Sequence, residues 1–268
     1  MKYFNFTKIL LSGILLLSLS ACNKESADIV NVPAKSGVPA GSDTNASFEL
    51  SLKNMTGEQL YALLQTAAKQ GDLEKVRMLI KHGADVNMLI VDKTRNADVD
   101  EIYAQYQDTP LMLASKQGHV DVVKALLAAG ANVNQTLPVH PERCMIPGEN
   151  ETALVMACTP ANIEVVKLLA AAGTDAQSVV LCACWMNSEE LLQTALKEKP
   201  NLNFTTGDGG ITPLYYAVEH GYENMVKTLL EAGANPKYPE EEDYNYMLQV
   251  AKDYPNIIKL LEAYDSKE

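Results

Sequence analysis

The stretch TPLMLASKQGHVDVVKALLAAGANVN (residues 109–134) holds the architecture in miniature. Thr109 is a good helix cap, and Pro110 suits a first helical turn, where no amide donor is needed. Small Ala114 lets a neighbouring helix approach closely, and Gly118 makes a turn. Val122, Val123, Leu126 and Leu127 then recur at the spacing that gives a second helix one apolar stripe. Gly130 permits a left-handed end to that helix. Two helices this short leave an apolar face wet, so their stability has to come from stacking on similar units.

Similar units are present in register. They are LQTAAKQGDLEKVRMLIKHGADVN (64–87), TALVMACTPANIEVVKLLAAAGTD (152–175) and TPLYYAVEHGYENMVKTLLEAGAN (212–235). Their small inner residues are Ala67, Ala157 and Ala217, with Gly71 and Gly221 at inter-helix turns and Gly83, Gly173 and Gly233 at second-helix ends. The first unit is introduced by Thr56 and Gln59 at capping-box spacing. Together these motifs resemble ankyrin repeats over residues 57–265. The resemblance implies an all-α solenoid of about five to six helix-turn-helix repeats. A divergent unit lies between the third and the last clear one, with Ser178 in the threonine place, Ala183 as inner alanine and Leu191-Leu192 as the apolar pair. It has Lys199 where the helix-ending glycine would stand. A partial unit, Tyr244 to Leu261, closes the stack.

The inter-helix turn positions Gly71, Gly118, Ala161, Asn187 and Gly221 are separated by 47, 43, 26 and 34 residues. The family period is about 33. Two junctions therefore carry insertions, at about 88–107 and 135–150, and one junction is clipped. Insertions on one face of a solenoid often mark the binding face, but long loops are also tolerated at small entropic cost. The sequence leaves both readings open.

The N-terminus carries Lys2 and Lys8 and then an apolar run from Ile9 to Leu19, the pattern of a secretory signal. The run is shorter than the roughly 20 residues of a membrane span. Leu19-Ser20-Ala21-Cys22 resembles the bacterial lipobox. That resemblance implies removal of a signal peptide at 1–21, lipid attachment at Cys22 and a membrane anchor. Asn23, rather than aspartate, then points to the outer membrane, with the domain facing the periplasm. Residues 22–52 are expected to be a flexible tether, polar and rich in small residues, and the repeat domain to occupy 53–268.

Composition excludes other classes. The chain has 268 residues, with 22 Lys and Arg against 34 Asp and Glu, a net charge of -12. Removing residues 1–21 leaves 20 basic against 34 acidic residues, or -14. Such a surface is a poor ligand for phosphate backbones, so nucleic acid is not an expected partner. Four histidines, none at metal-binding helical spacing, and no phosphate-binding or nucleophile-elbow loop argue against an enzyme. No cofactor, metal or small-molecule substrate is expected, and the chain is read as a monomer.

Four cysteines follow Cys22. In an oxidising compartment Cys144, Cys158, Cys182 and Cys184 invite disulfides, with three possible connectivities. The expected pair is Cys144–Cys182, with Cys158 and Cys184 paired to each other or both free and buried. Zinc or redox chemistry at Cys182 and Cys184 is a weaker alternative.

The expected work is protein binding. In ankyrin repeats the residues before the inter-helix turn and those in the fingers line a concave groove. Carried over, the resemblance implies contacts by Lys116, Gln117, Trp185, Met186, Glu219 and His220, with Gln105, Tyr106, Asp108, Asp208 and Ile211 from the fingers and Tyr216 from its helix. Trp185, the sole tryptophan, and Tyr216 suit interface anchors, although either could instead pack between repeats. The main functional expectation is an envelope-anchored adaptor or scaffold. The alternative is a periplasmic immunity protein that inhibits a secreted toxic effector.

Overall fold

The structure, a computed structural model, describes residues 43–92, 105–137, 152–205, 211–238 and 241–265. Residues from Asn45 onward form one compact unit. It is built from helix pairs: α1 (Asp43–Leu52), α2 (Gly57–Gln70), α3 (Leu73–Lys81), α4 (Pro110–Lys116), α5 (Val120–Ala128), α6 (Ala153–Ala157), α7 (Ile163–Ala171), α8 (Ala176–Trp185), α9 (Glu189–Leu196), α10 (Pro213–Glu219), α11 (Glu223–Glu231), α12 (Glu241–Val250) and α13 (Pro255–Asp265). The first helices α2, α4, α6, α8, α10 and α12 pack in sequence order as one row. The second helices lie behind them. This is the all-α repeat stack expected from the sequence. The described part of the first insertion adds a short antiparallel pair, β1 (Val91–Asp92) with β2 (Gln105–Tyr106). Most of the second insertion lies outside the described residues.

The caps explain where the helices begin. Thr109, Thr152 and Thr212 accept from the amides of Met112, Val155 and Tyr215 at 3.2, 3.2 and 3.0 Å. Each satisfies one of the amides a helix start leaves without a partner. Thr56 and Gln59 form the reciprocal capping box. The divergent unit departs from its expected register. Its cap is Asp175, whose carboxylate accepts from the Ser178 amide at 2.9 Å, so Ser178 lies one turn inside α8. The clipped junction has no finger, and α8 is extended backwards by that turn to meet the preceding unit.

The inter-helix turns need a left-handed residue. Gly118 has φ 74°, and a Cβ there would collide with Oδ1 of Asn162 in the next repeat. Where glycine is missing, Asn187 (φ 49°) and Lys199 (φ 51°) adopt the left-handed region themselves. The helix-ending turn is thus formed at Lys199 although the glycine is absent. The third unit turns differently, through a short 3₁₀ segment Pro160–Asn162 that follows the five-residue α6.

Polar side chains clip successive repeats together. Asn87 donates to the Gly130 carbonyl at 2.9 Å and accepts from the Asn132 amide at 2.7 Å. Asn134 donates to Gly173 O at 3.0 Å, and Asn203 accepts from the Asn235 amide at 2.7 Å. His119 Nε2 donates to Lys69 O at 3.0 Å. The core is one continuous apolar strip from Leu52 to Leu261.

Two expectations need correction. The chain is helical from Asp43, before the domain start expected at 53. Leu52 is buried in the core, and Glu49 pairs with Lys81 of α3 at 2.9 Å, which holds the Glu49 carboxyl below its usual range. The disulfide is Cys158–Cys182, with Cα atoms 5.5 Å apart, and Cys184 is free and buried. Neither the Cys144–Cys182 nor the Cys158–Cys184 pairing forms. Residues two apart on a helix point to nearly opposite sides, so Cys182 and Cys184 cannot both face α6. Cys22 and Cys144 lie outside the described residues.

Candidate binding surface

The surface is carried by the C-terminal ends of the first helices. α4 ends in exposed Lys116 and Gln117, as α2 does in Lys69 and Gln70. The Lys116 carbonyl accepts from Asn162 Nδ2 at 3.3 Å, which ties this rim to the next repeat while its side chain stays in solvent. Asp108 is half-buried, and its carbonyl accepts from Gln65 Nε2 at 2.8 Å. Its backbone therefore fixes the entry to α4.

The C-terminal half is aromatic. The Trp185 ring at the end of α8 stacks on Tyr216 of α10, with centroids 5.6 Å apart and planes 15° apart. Tyr216 stacks in turn on His220 at 4.1 Å, and Tyr222 closes the group at 5.6 Å from His220. His220 also places Nδ1 2.9 Å from the Tyr216 carbonyl, so its ring is held across the helix end. A second pair, Tyr215 and Tyr246, joins α10 to α12 at 5.9 Å, with nearly parallel planes. Tyr246 is 44% exposed, and Trp185, Tyr215, Tyr216 and Glu219 are half-buried. Trp185 and Tyr216 thus pack between repeats, one of the two readings open to them, and both stay partly exposed.

Burial drives the Tyr215 and Tyr216 hydroxyls well above the ordinary phenol range, and the charge of Glu219 adds to the shift in both. Both tyrosines are therefore neutral at any physiological pH, and Glu219 supplies the charge of this patch.

Met186 does not belong to the surface. It is only 9% exposed, and its sulfur lies 3.6 Å from Cys182 Sγ, a van der Waals contact because the paired sulfur carries no hydrogen. Among the finger residues, Ile211 is half-buried and Gln105 and Tyr106 lie on β2. Asp208 falls outside the described residues. Sequence reasoning missed Tyr215, Tyr222 and Tyr246. Tyr215 and Tyr246 lie on first helices and Tyr222 at the start of α11, and the residue type was their only signal.

Among the described residues the cysteines do not form a reactive site. Cys182 is consumed in the disulfide, which corrects the expectation of a Cys182/Cys184 redox or zinc pair. Burial, with a smaller contribution from Glu189, pushes the Cys184 thiol up to about 12, so it is neither a nucleophile nor a metal ligand at neutral pH.

Comparison with known proteins places this geometry. The family model for ankyrin repeats (3 copies) matches residues 17–137, 86–179, 137–240 and 179–265. Two Arabidopsis thaliana proteins named putative E3 ubiquitin-protein ligase, XBAT34 and XBAT35, are 35% identical over 78 residues and 34% identical over 95 residues. Those segments cover 28% and 34% of this chain but only 20% of each relative. Among solved structures, the human ASB11 ankyrin repeat domain aligns at 27% identity and TM-score 0.52, over 75% of this chain and 82% of that one. A chain from the complex of the Bdellovibrio bacteriovorus predatory endopeptidase Bd0816 with immunity protein Bd3460 aligns at 26% identity and TM-score 0.53. The alignment covers 75% of this chain and 97% of that one.

Proposed function

Because this chain belongs to the ankyrin-repeat family, we propose that it is a non-catalytic protein-binding module whose partner is a peptidase that it occludes, the role of an immunity protein. The observation that carries this reading is the likeness to a chain of the endopeptidase–immunity complex, which extends over nearly the whole of that chain. An adaptor that merely holds a partner at the envelope would use the same surface, and affinity separates the two. An inhibitor that protects its own cell has to bind at nanomolar concentration or tighter, whereas a scaffold does not.

We further propose that the module is lipid-anchored through Cys22 at the outer membrane and faces the periplasm. The residues around Cys22 support this, and so does a disulfide, which persists in oxidising compartments. Palmitate labelling of the expressed chain, lost in Cys22→Ala, would check the anchor.

The functional test is a titration of the purified full-length chain into endopeptidases secreted by or delivered to the same cells, read by substrate hydrolysis and calorimetry. Stoichiometric inhibition with nanomolar affinity is the expected result. A panel in which no endopeptidase binds or loses activity would overturn the reading.

A further inference from the structure

The aromatic row of the C-terminal half has a chemistry that the bare protein-binding reading does not specify. Trp185 stacks on Tyr216 between α8 and α10, and Tyr215 stacks on Tyr246 between α10 and α12, so two near-parallel ring pairs lie on the same row of helices. Glu219 stands one turn beyond Tyr215 and Tyr216 on α10, a spacing that puts it on their face of the helix. Among the described residues no lysine or arginine pairs with Glu219 or lies over these rings. Glu219 and these rings thus have no lysine or arginine of the described residues as a partner, and the group seated on Tyr216 is the His220 imidazole, at 4.1 Å. The chain as a whole carries a net charge of -12, which favours approach by a basic surface.

We propose that this row, Trp185, Tyr216, Tyr215 and Tyr246 with Glu219 beside them, is the anchor site for an arginine side chain presented by the protein partner. The inference rests on the protein-binding reading and gives that partner its chemistry. A guanidinium is planar, so it can lie against near-parallel rings while its edge pairs with a carboxylate. A lysine ammonium lacks that plane. Asparagine, glutamine or an acidic side chain would offer the ring faces no positive charge and Glu219 no ionic partner.

The sole tryptophan lies in the row, so its fluorescence reports occupancy directly. The test titrates the full chain with an acetylated, amidated Gly-Arg-Gly-Arg-Gly peptide at low ionic strength. Matched peptides carry citrulline or lysine in place of arginine. A saturable change in Trp185 emission with the arginine peptide is expected, with about tenfold weaker binding of the citrulline peptide and clearly weaker binding of the lysine peptide. Glu219→Gln changes a half-buried side chain without removing packing and is expected to weaken the arginine peptide about tenfold. Tyr216→Leu should do the same, with circular dichroism and thermal melting confirming that both variants stay folded. Equal binding of arginine and citrulline peptides, equal binding of arginine and lysine peptides, or an unchanged affinity in Glu219→Gln would each overturn the proposal.

The endopeptidase panel separates this failure from failure of the broader reading. A complex weakened about tenfold by Glu219→Gln supports the anchor. A complex with unchanged affinity overturns the anchor and leaves the binding reading standing. If no complex forms, the endopeptidase reading falls while the protein-binding one stands, and the peptide titration decides the anchor.

Discussion

Removing the Cys158–Cys182 bond should destabilise the middle of the stack measurably. The bond closes a loop of 24 residues that runs from the end of α6 through α7 into α8. Loop-closure entropy for that length is worth about 3.5 kcal/mol at 25 °C. For a domain of roughly 200 residues, a loss of that size lowers a thermal midpoint by about 10 °C. In a solenoid each repeat leans only on its neighbours, so the loss should be local. The third unit is already the least regular, with a five-residue first helix and a 3₁₀ turn. Urea unfolding followed by far-UV circular dichroism, with and without reductant, would show this as an earlier and broader transition in the reduced protein. Cys158→Ala/Cys182→Ala should reproduce the reduced curve and no longer respond to reductant. Cys184→Ala should respond to reductant as the parent does. Peptide mapping under non-reducing conditions should recover the 158–182 pair. Superimposable oxidised and reduced curves, or a mapped pair that includes Cys144 or Cys184, would count decisively against this account.

Other consequences follow from particular residues. Asn87→Ala removes two hydrogen bonds between the first and second repeats and should cost about 1–2 kcal/mol in urea unfolding. Lys199→Gly should stabilise the protein by about 1 kcal/mol in the same assay, because glycine holds the left-handed turn without the steric penalty of a side chain. Gly118→Ala should do the opposite, since its added Cβ meets Asn162 in a backbone conformation that disfavours it. The Cys184 thiol should stay unreactive to a thiol reagent at pH 8 in the native protein and react fully in urea. Its folded value of about 12 lies above the ordinary 9.0, so the unfolded chain loses this proton first. Stability should therefore fall as pH rises from about 9 through about 12 and be unaffected by this group below that window.

Much of the architecture was local and hence legible. Thr109, Thr152 and Thr212 cap helices because a side-chain oxygen reaches an amide three residues on, a contact that needs no knowledge of the rest of the chain. The apolar pairs on the second helices and the glycines at the turns follow from helix period and backbone sterics alone. Ser178, in the threonine place by sequence, is not the cap, because the clipped junction leaves Asp175 to start the helix a turn earlier. Of the residues expected at the ends of first helices, Lys116 and Gln117 are exposed, but Met186 is buried because it lies one helical turn after Cys182, on the same inward side of α8.

The repeat, its period, its caps and the excess of negative charge can all be read from the order of residues, because each depends on neighbours within one or two helical turns. Which cysteine pairs with Cys158 cannot, since only the rotation of α8 against α6 brings Cys182 rather than Cys184 within bonding distance. Nor can the stacking of Trp185 on Tyr216, two residues of separate repeats. Both outcomes rest on how one helix is rotated against the next, and that angle is set by the packing of whole repeats rather than by any short run of residues.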